Sequence, residues 1–228
     1  MHKLAEGNTA EVFTWDNGRV LKLWRARYPR QQVEYEAMIG REICSSGLAA
    51  PEVFDVVEHE GRFGLVYARV PGISLKAWML SDPDRVQFGS RWLGRLHAEI
   101  HAHLATSSLP SHHLRTRHRI ETLTELPDTV RGALVARLDG LPEGAVVCHG
   151  DFHPDNVIID GENAVVIDWL DASKGPSVAD VARTILVIDG AEKVPEIKRP
   201  LIVTSFTMPC LTLSLNCAKE MATLRWVF

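Results

Sequence analysis

Apolar and polar positions alternate along most of the first seventy residues. Residues 11–15 and 19–24 alternate on either side of Asp16-Asn17-Gly18, a strong hairpin signal. Residues 53–59 and 63–70 do the same around Glu60-Gly61. Between these pairs, 29–44 changes to a helical period, with Val33, Glu36, Ala37, Gly40 and Ile43 on one stripe. Pro71-Gly72 breaks the chain, which places a lobe boundary there, with 1–70 as a small β-rich lobe and 71–228 as a mainly helical one. Beyond the boundary, Asp82 before Pro83 reads as a cap with proline at the first helical position. Val86, Gly89, Trp92, Leu93, Leu96, Ile100 and Leu104 then recur at helical spacing. Asp128 is expected to cap a helix running to about Leu138, and 177–187 reads as another. Two short apolar runs, 157–159 and 164–167, flank Asp160-Gly161-Glu162-Asn163 and predict a late hairpin inside the helical part. The pattern therefore predicts an α+β architecture with a β-rich lobe, a short linker and a helical lobe carrying one hairpin.

Composition narrows the class without naming it. A chain of 228 residues buries a substantial core, and a formal charge of −4 lacks the basic surplus of a nucleic-acid binder. The mild negative balance is compatible with a cationic partner. Cys44, Cys148, Cys210 and Cys217 are scattered without CxxC spacing, so neither a disulfide framework nor a zinc ribbon is indicated, and the reducing cytoplasm is the default compartment. The N-terminus lacks the apolar core of a signal peptide. Residues 201–218 hold no charge over 18 positions. Pro209, Asn216 and five Ser/Thr residues interrupt the run, which favours a buried helix or an irregular segment over a membrane span.

The chemistry gathers at His149-Gly150-Asp151-Phe152-His153-Pro154-Asp155-Asn156, with Asp168 twelve residues beyond Asn156. Asp151 and Asn156 are five apart, the spacing of a kinase catalytic loop, where the Asp faces a substrate hydroxyl and the Asn holds Mg²⁺. The predicted hairpin brings its ends together, so Asn156 and Asp168 are expected side by side as oxygen ligands for a hard cation. Lys22 lies in the run Val20-Leu21-Lys22-Leu23-Trp24, on the face shared by Val20 and Trp24. A lysine there needs an anionic partner or solvent, and Glu36, on the buried stripe of its helix, is the candidate carboxylate. Glu34 points elsewhere. Gly7-Asn8-Thr9 precedes the first predicted strand and suits either a phosphate-contacting turn or a plain one. His149, Asp151, His153 and Asp155 also resemble a metal cluster, although no histidine follows His153. His97 and His101 stand at i and i+4 without the H-E-x-x-H pattern, so core or surface histidines are the better reading than zinc ligands. Asp180, inside a predicted helix, needs hydrogen-bond donors if buried, and the backbone of the catalytic loop is a suitable source. Asp171 is either a solvated loop residue or part of the site.

With these residues in view, the chain resembles the aminoglycoside phosphotransferase-like enzymes, which share the protein-kinase-like bilobal fold. The resemblance is carried by His149 to Asn156, by Ile167-Asp168-Trp169 and by Ala179-Asp180-Val181-Ala182. Lys22, Glu36 and the turn Gly47-Leu48-Ala49-Ala50-Pro51 agree in order and spacing, so the likeness covers about residues 4–187. It implies an ATP- and Mg²⁺-dependent phosphotransferase acting on a hydroxyl of a small molecule. Asp151 would be the catalytic base, and Asn156 and Asp168 the Mg²⁺ ligands. Lys22 would contact the α- and β-phosphates, positioned by Glu36, with Gly7 and Thr9 nearby. The backbone of the segment holding Tyr67, Ala68 and Val70 would receive adenine, and His149 would buttress the loop with Asp180. The phosphate loop departs from the family in having a single glycine. Family members also continue with more helices than this chain, which ends at Phe228, so an incomplete acceptor wall is expected. A nucleotide-binding pseudokinase and a metal-dependent hydrolase are the competing readings. Aminoglycosides, other sugars and amino alcohols all remain open as acceptors.

Overall fold

The alternating N-terminal residues form one antiparallel sheet in a computed structural model, which describes residues 1–190. Its strands are β1 (Lys3–Glu6), β2 (Ala10–Thr14), β3 (Arg19–Trp24), β4 (Val53–His59) and β5 (Arg62–Ala68), in the order β1-β2-β3-β5-β4. Both expected hairpins are present. Asn17 (φ 53°) and Gly18 (φ 71°) turn the first, while Glu60 (φ 52°) and Gly61 (φ 69°) turn the second between the paired residues His59 and Arg62. Two successive left-handed residues match the twist of the flanking strands. The pleat sorts β3 into two faces. Trp24 packs with Val33 and Ala37 of helix α1 (Arg30–Ser45) and with Leu65, while Leu21 and Leu23 join Val66 on the opposite face. Lys22 thus lies on the helix-covered face, among residues that exclude water.

The chain divides into two compact units. The first joins Met1–Trp78 to Pro154–Leu170, so the late hairpin groups with the N-terminal strands, although the break at Pro71-Gly72 had assigned it to the helical part. The reason is a second sheet, in which β6 (Ile73–Ser74) pairs with the hairpin's first strand. Gly72 permits this pairing. Its φ is +109°, and a Cβ there would stand 2.0 Å from the Ile159 carbonyl oxygen. Helix α2 (Leu75–Leu80) then carries the chain into the second unit.

That unit holds α3 (Arg85–His101), α4 (His112–Thr122), α5 (Asp128–Asp139) and the strand β7 (Val146–Cys148). The hairpin strands β8 (Val157–Asp160) and β9 (Asn163–Val166) belong to the first unit, and β10 (Ser173–Gly175) and α6 (Ser177–Gly190) complete the second. β10 pairs antiparallel with β7. Helix α3 buries Val86, Gly89, Leu93 and Ile100 of the expected stripe, and His97 beside them. Two of its expected limits are corrected. Asp82 does not cap the helix; its carboxylate accepts the Asp84 N–H at 2.9 Å in a preceding turn, and the helix begins at Arg85. Leu104 lies beyond the last turn and is 77% exposed, because the helix ends at His101. Helix α4 escaped the periodicity because it buries no residue; its one local signal is Ser111, whose side chain accepts the Leu114 N–H at 3.3 Å. Among the described residues no helix is long and apolar enough to cross a membrane. The uncharged stretch 201–218 lies outside the described residues.

Gly72→Ala is expected to destabilise the protein by about 1–3 kcal/mol or more, since strained φ and a backbone clash act together. Gly61→Ala, where nothing lies within 4 Å of the new methyl, should cost less. Urea midpoints at unchanged slope measure both.

Candidate active site

In the first unit, three charged groups from distant parts of the sequence meet. Lys22 Nζ donates to Glu36 Oε1 at 2.7 Å and to Asp168 Oδ1 at 2.9 Å. Glu36 is buried and fully occupied. Its Oε1 also accepts from the Tyr67 hydroxyl at 2.8 Å, and Oε2 accepts from Trp24 Nε1 at 2.8 Å. Glu34, by contrast, is exposed and pairs with Arg30. Burial alone would lower the pKa of Lys22, but the carboxylates of Glu36 and Asp168 more than reverse this, so the ammonium stays charged. Burial and the neighbouring Glu36 likewise push Tyr67 well above its ordinary value, which keeps its hydroxyl a donor.

The late hairpin delivers the other polar groups of this unit. β8 pairs with β9 from Val157↔Val166 to Asp160↔Asn163. At its base the Ile167 N–H donates to the Asn156 carbonyl at 2.9 Å, which sets Asn156 next to the strand end that carries Asp168. Asp168 adopts φ 62°, a left-handed conformation that costs a non-glycine residue energy. The side chains of Asn156 and Asp168 offer amide and carboxylate oxygens, a hard donor set suited to Mg²⁺. Beside them lies a cavity of about 240 Å³, lined by Lys22, Glu36, Tyr67, Ala68, Val70 and Asp168 together with apolar residues including Val12, Val20, Ile158 and Ile167. The Ala68 N–H is already bonded to the Glu52 carbonyl at 2.9 Å, so its amide is occupied. Gly7 and Thr9 form a tight turn (Gly7 N–H to the Ala10 carbonyl, 2.9 Å), and the cavity wall nearby is made by Ala5 and Val12.

In the second unit, the loop after β7 is fixed by one carboxylate. Asp180 Oδ2 accepts the His149 N–H at 2.8 Å, and Oδ1 accepts the Gly150 N–H at 2.7 Å. His97 Nε2 and His101 Nε2 reach the same Oδ2 at 2.9 and 3.0 Å. The three side chains are close enough to hold a metal ion, but both Asp180 oxygens already serve the loop backbone. The imidazoles are better described as donors to Asp180 than as metal ligands. Burial would raise the Asp180 pKa; His97 and His101 overcome it and hold the carboxyl well below the ordinary range. Burial, reinforced by the adjacent His101, pushes His97 down to about 4, so at neutral pH it is an uncharged donor. Gly150 takes φ 80°, and a Cβ there would meet the Asp171 carbonyl oxygen at 2.4 Å. Phe152 is fully buried and stacks on His97 with ring centroids 4.4 Å apart. Asp151 follows this anchored backbone. His153, 3.6 Å from its carboxylate, holds its pKa below the ordinary value, so it is ionised at neutral pH.

Sequence reasoning missed the two donors on Glu36, Trp24 and Tyr67, and the role of His97 and His101 beneath the loop. Trp24 was the legible one, since alternation had already set it on the face of Lys22. Asp171 is no solvated loop residue: it accepts from Arg115 at 2.6 Å and Arg119 at 2.7 Å.

The two units, one with a charged lysine under a helix and one with an anchored carboxylate loop, have the protein-kinase-like fold of the aminoglycoside phosphotransferases. The family model of the phosphotransferase enzyme family matches residues 2–199, and the chain belongs to that family. Among curated proteins it is similar to stress response kinase A of Escherichia coli strain K12, 26% identical over 182 residues, and to that of Shigella flexneri, 25% identical. Both alignments cover 71% of this chain and 54% of the relative, so the chain spans about half the length of the curated relatives it matches. Solved structures agree on the fold. Aminoglycoside phosphotransferase APH(3'')-Id from Streptomyces rimosus superposes with a TM-score of 0.59 at 21% identity, covering 96% of this chain and 88% of that one. ADP-bound APH(2'')-Ib gives 0.57 at 15% identity over 99% and 86%. APH(4)-Ia, in a ternary complex with AMP-PNP and hygromycin B, gives 0.56 at 16% identity over 98% and 93%.

Two outcomes follow from this geometry. Glu36→Ala leaves Lys22, Trp24 and Tyr67 without their acceptor and should cost about 3–5 kcal/mol in denaturant unfolding, whereas Glu36→Gln should cost less. On acidification, His97 binds a proton in the unfolded chain near pH 6.5 but in the folded one only near 4. Stability should therefore fall as pH drops through that window, by up to about 3 kcal/mol from this group. The depressed Asp180 adds a further loss below about pH 4, the unfolded carboxylate range. Urea midpoints measured from pH 7 to pH 3 check the sign.

Proposed function

We propose that the protein transfers the γ-phosphoryl group of ATP, with Mg²⁺, to a hydroxyl of a small molecule. The observation that carries this reading is the Lys22 ammonium, kept charged between Glu36 and Asp168 at the wall of a largely apolar cavity. Apolar walls suit a nucleotide base, and a fixed ammonium suits its α- and β-phosphates. Asn156 and Asp168 would hold Mg²⁺, which when bound supplies charge neutralisation for the donor phosphates. Lys22 then exchanges part of its interaction with Asp168 for the phosphate oxygens, while Glu36 keeps it oriented. Asp151 takes the proton of the acceptor hydroxyl as its oxygen bonds to the γ-phosphorus and the bond to the bridging oxygen of ADP breaks. An ionised Asp151 on a backbone clamped by Asp180 is suited to that task. Similar structures hold ADP in one case and AMP-PNP with hygromycin B in another, which supports a nucleotide donor and a small-molecule acceptor. The scattered cysteines favour the cytoplasm as its location, with Cys44 and Cys148 free in the structure.

Asp151→Ala should lower acceptor-dependent ADP release by about 10³-fold or more while ATP affinity, measured by calorimetry, changes less than about threefold. Equal loss of both would remove Asp151 from its assigned role. Binding of Mg-ATP with no turnover in the unaltered protein would favour a pseudokinase.

A further inference from the structure

Beside the catalytic loop, wholly within the second unit, lies a cavity of about 50 Å³ that none of the chemistry above uses. Its wall carries three guanidinium groups: Arg115 and Arg119 of α4, and Arg183 of α6. Arg115 and Arg119 are one helical turn apart, an arrangement that like charges disfavour unless an anion intervenes. Asp171 intervenes, but both arginines contact the same oxygen, Oδ1, at 2.6 and 2.7 Å. Arg183 donates through Nε to the Gly150 carbonyl at 3.2 Å. The other acidic wall residue, Asp180, is buried and already meets two backbone amides and two imidazoles. Three fixed positive charges thus face one carboxylate that is not otherwise engaged. The guanidinium groups decide the kind of ligand: a carboxylate or phosphate group matches their charge and fits such a volume.

We propose that this cavity is an anion subsite of the acceptor, so that the hydroxyl compound phosphorylated here carries a carboxylate or phosphate group. The acceptor role rests on the phosphotransfer reading; the anion binding does not. Guanidinium forks suit planar and tetrahedral oxyanions by bidentate hydrogen bonding. Gly150, whose carbonyl Arg183 holds, is the residue before Asp151, and Arg183 is among the charges that lower the Asp151 pKa. An anionic head seated among the arginines therefore lies near the group that would deprotonate the acceptor. A cationic acceptor meets the wrong sign here, whatever the net charge of the chain.

Calorimetric titration of inorganic phosphate into the full chain tests the site. Arg119→Ala and Arg183→Ala, both at exposed positions, should each weaken phosphate binding by about tenfold, while Lys22→Met, in the other unit, leaves it within about twofold. An unaltered protein that binds no phosphate, or whose binding is lost in Lys22→Met and indifferent to both arginines, overturns the proposal. The acceptor role is read by ADP release with matched compounds, glycerol against glycerate and glycerol 3-phosphate, and ribose against ribose 5-phosphate. The anionic members should turn over faster, and Arg119→Ala should raise their KM by about tenfold with kcat held. Equal turnover of neutral and anionic members rejects the acceptor role. Arginine-dependent phosphate binding without any ADP release upholds the anion site and counts against phosphotransfer.

Discussion

A lysine ammonium packed under a helix has to be matched by negative charge, and the first unit is arranged around that requirement. Lys22 comes from β3, Glu36 from α1 and Asp168 from the hairpin β8–β9, so one charge ties three elements whose sequence positions span 146 residues. A pair this sheltered is weak evidence of stability, because desolvation offsets much of the attraction. Its value lies in specificity: the sheet, the helix and the hairpin must be in register for each partner to be met. Trp24 and Tyr67 complete the arrangement by filling the remaining lone pairs of Glu36. Asp168 is the one member that is 42% exposed and in a left-handed backbone conformation. That leaves it the member best able to change partners.

The catalytic loop solves a different problem. Its backbone amides at His149 and Gly150 lie in a buried setting, and Asp180 satisfies both. The cost is a buried carboxylate, offset by the imidazoles of His97 and His101 that meet it. One of these, His97, also forms the floor on which Phe152 stacks. The loop is thereby held by groups from α3 and α6. Folding stability and loop geometry are coupled through the protonation of His97, which makes acid the natural perturbant of the loop.

Much of this was legible in the sequence, and the reasons separate cleanly. Period-two alternation and left-handed turn residues revealed β2 to β5 because a pleated strand writes both of its faces into the chain. The same alternation put Lys22 on the face of Trp24, and the helical stripe put Glu36 beneath it. The hairpin between Asn156 and Asp168 was legible from its turn residues. Helix α4 was not, since it buries nothing and so leaves no period. The extent of α3 was misjudged because Leu104, apolar and in phase, lies past the helix end and faces solvent. The histidine strut was invisible for another reason. His97 and His101 show their spacing in the sequence, but their partner, Asp180, is 83 and 79 residues away. Local charge was not legible either: a net −4 does not reveal that arginines wall the cavity beside the loop. Net charge reports the average surface, and recognition depends on the local one.

We propose that Lys22, Asp168 and Asn156 form a cation-assisted site for donor phosphates, and nucleotide binding tests this without requiring an acceptor. The affinity of a non-hydrolysable ATP analogue should be measured by calorimetry with and without Mg²⁺, in the unaltered protein and in Asp168→Asn. Mg²⁺ should tighten binding by about tenfold or more in the unaltered protein, and that gain should disappear in Asp168→Asn while Mg²⁺-free binding persists. The same gain from Mg²⁺ in both proteins would contradict the account.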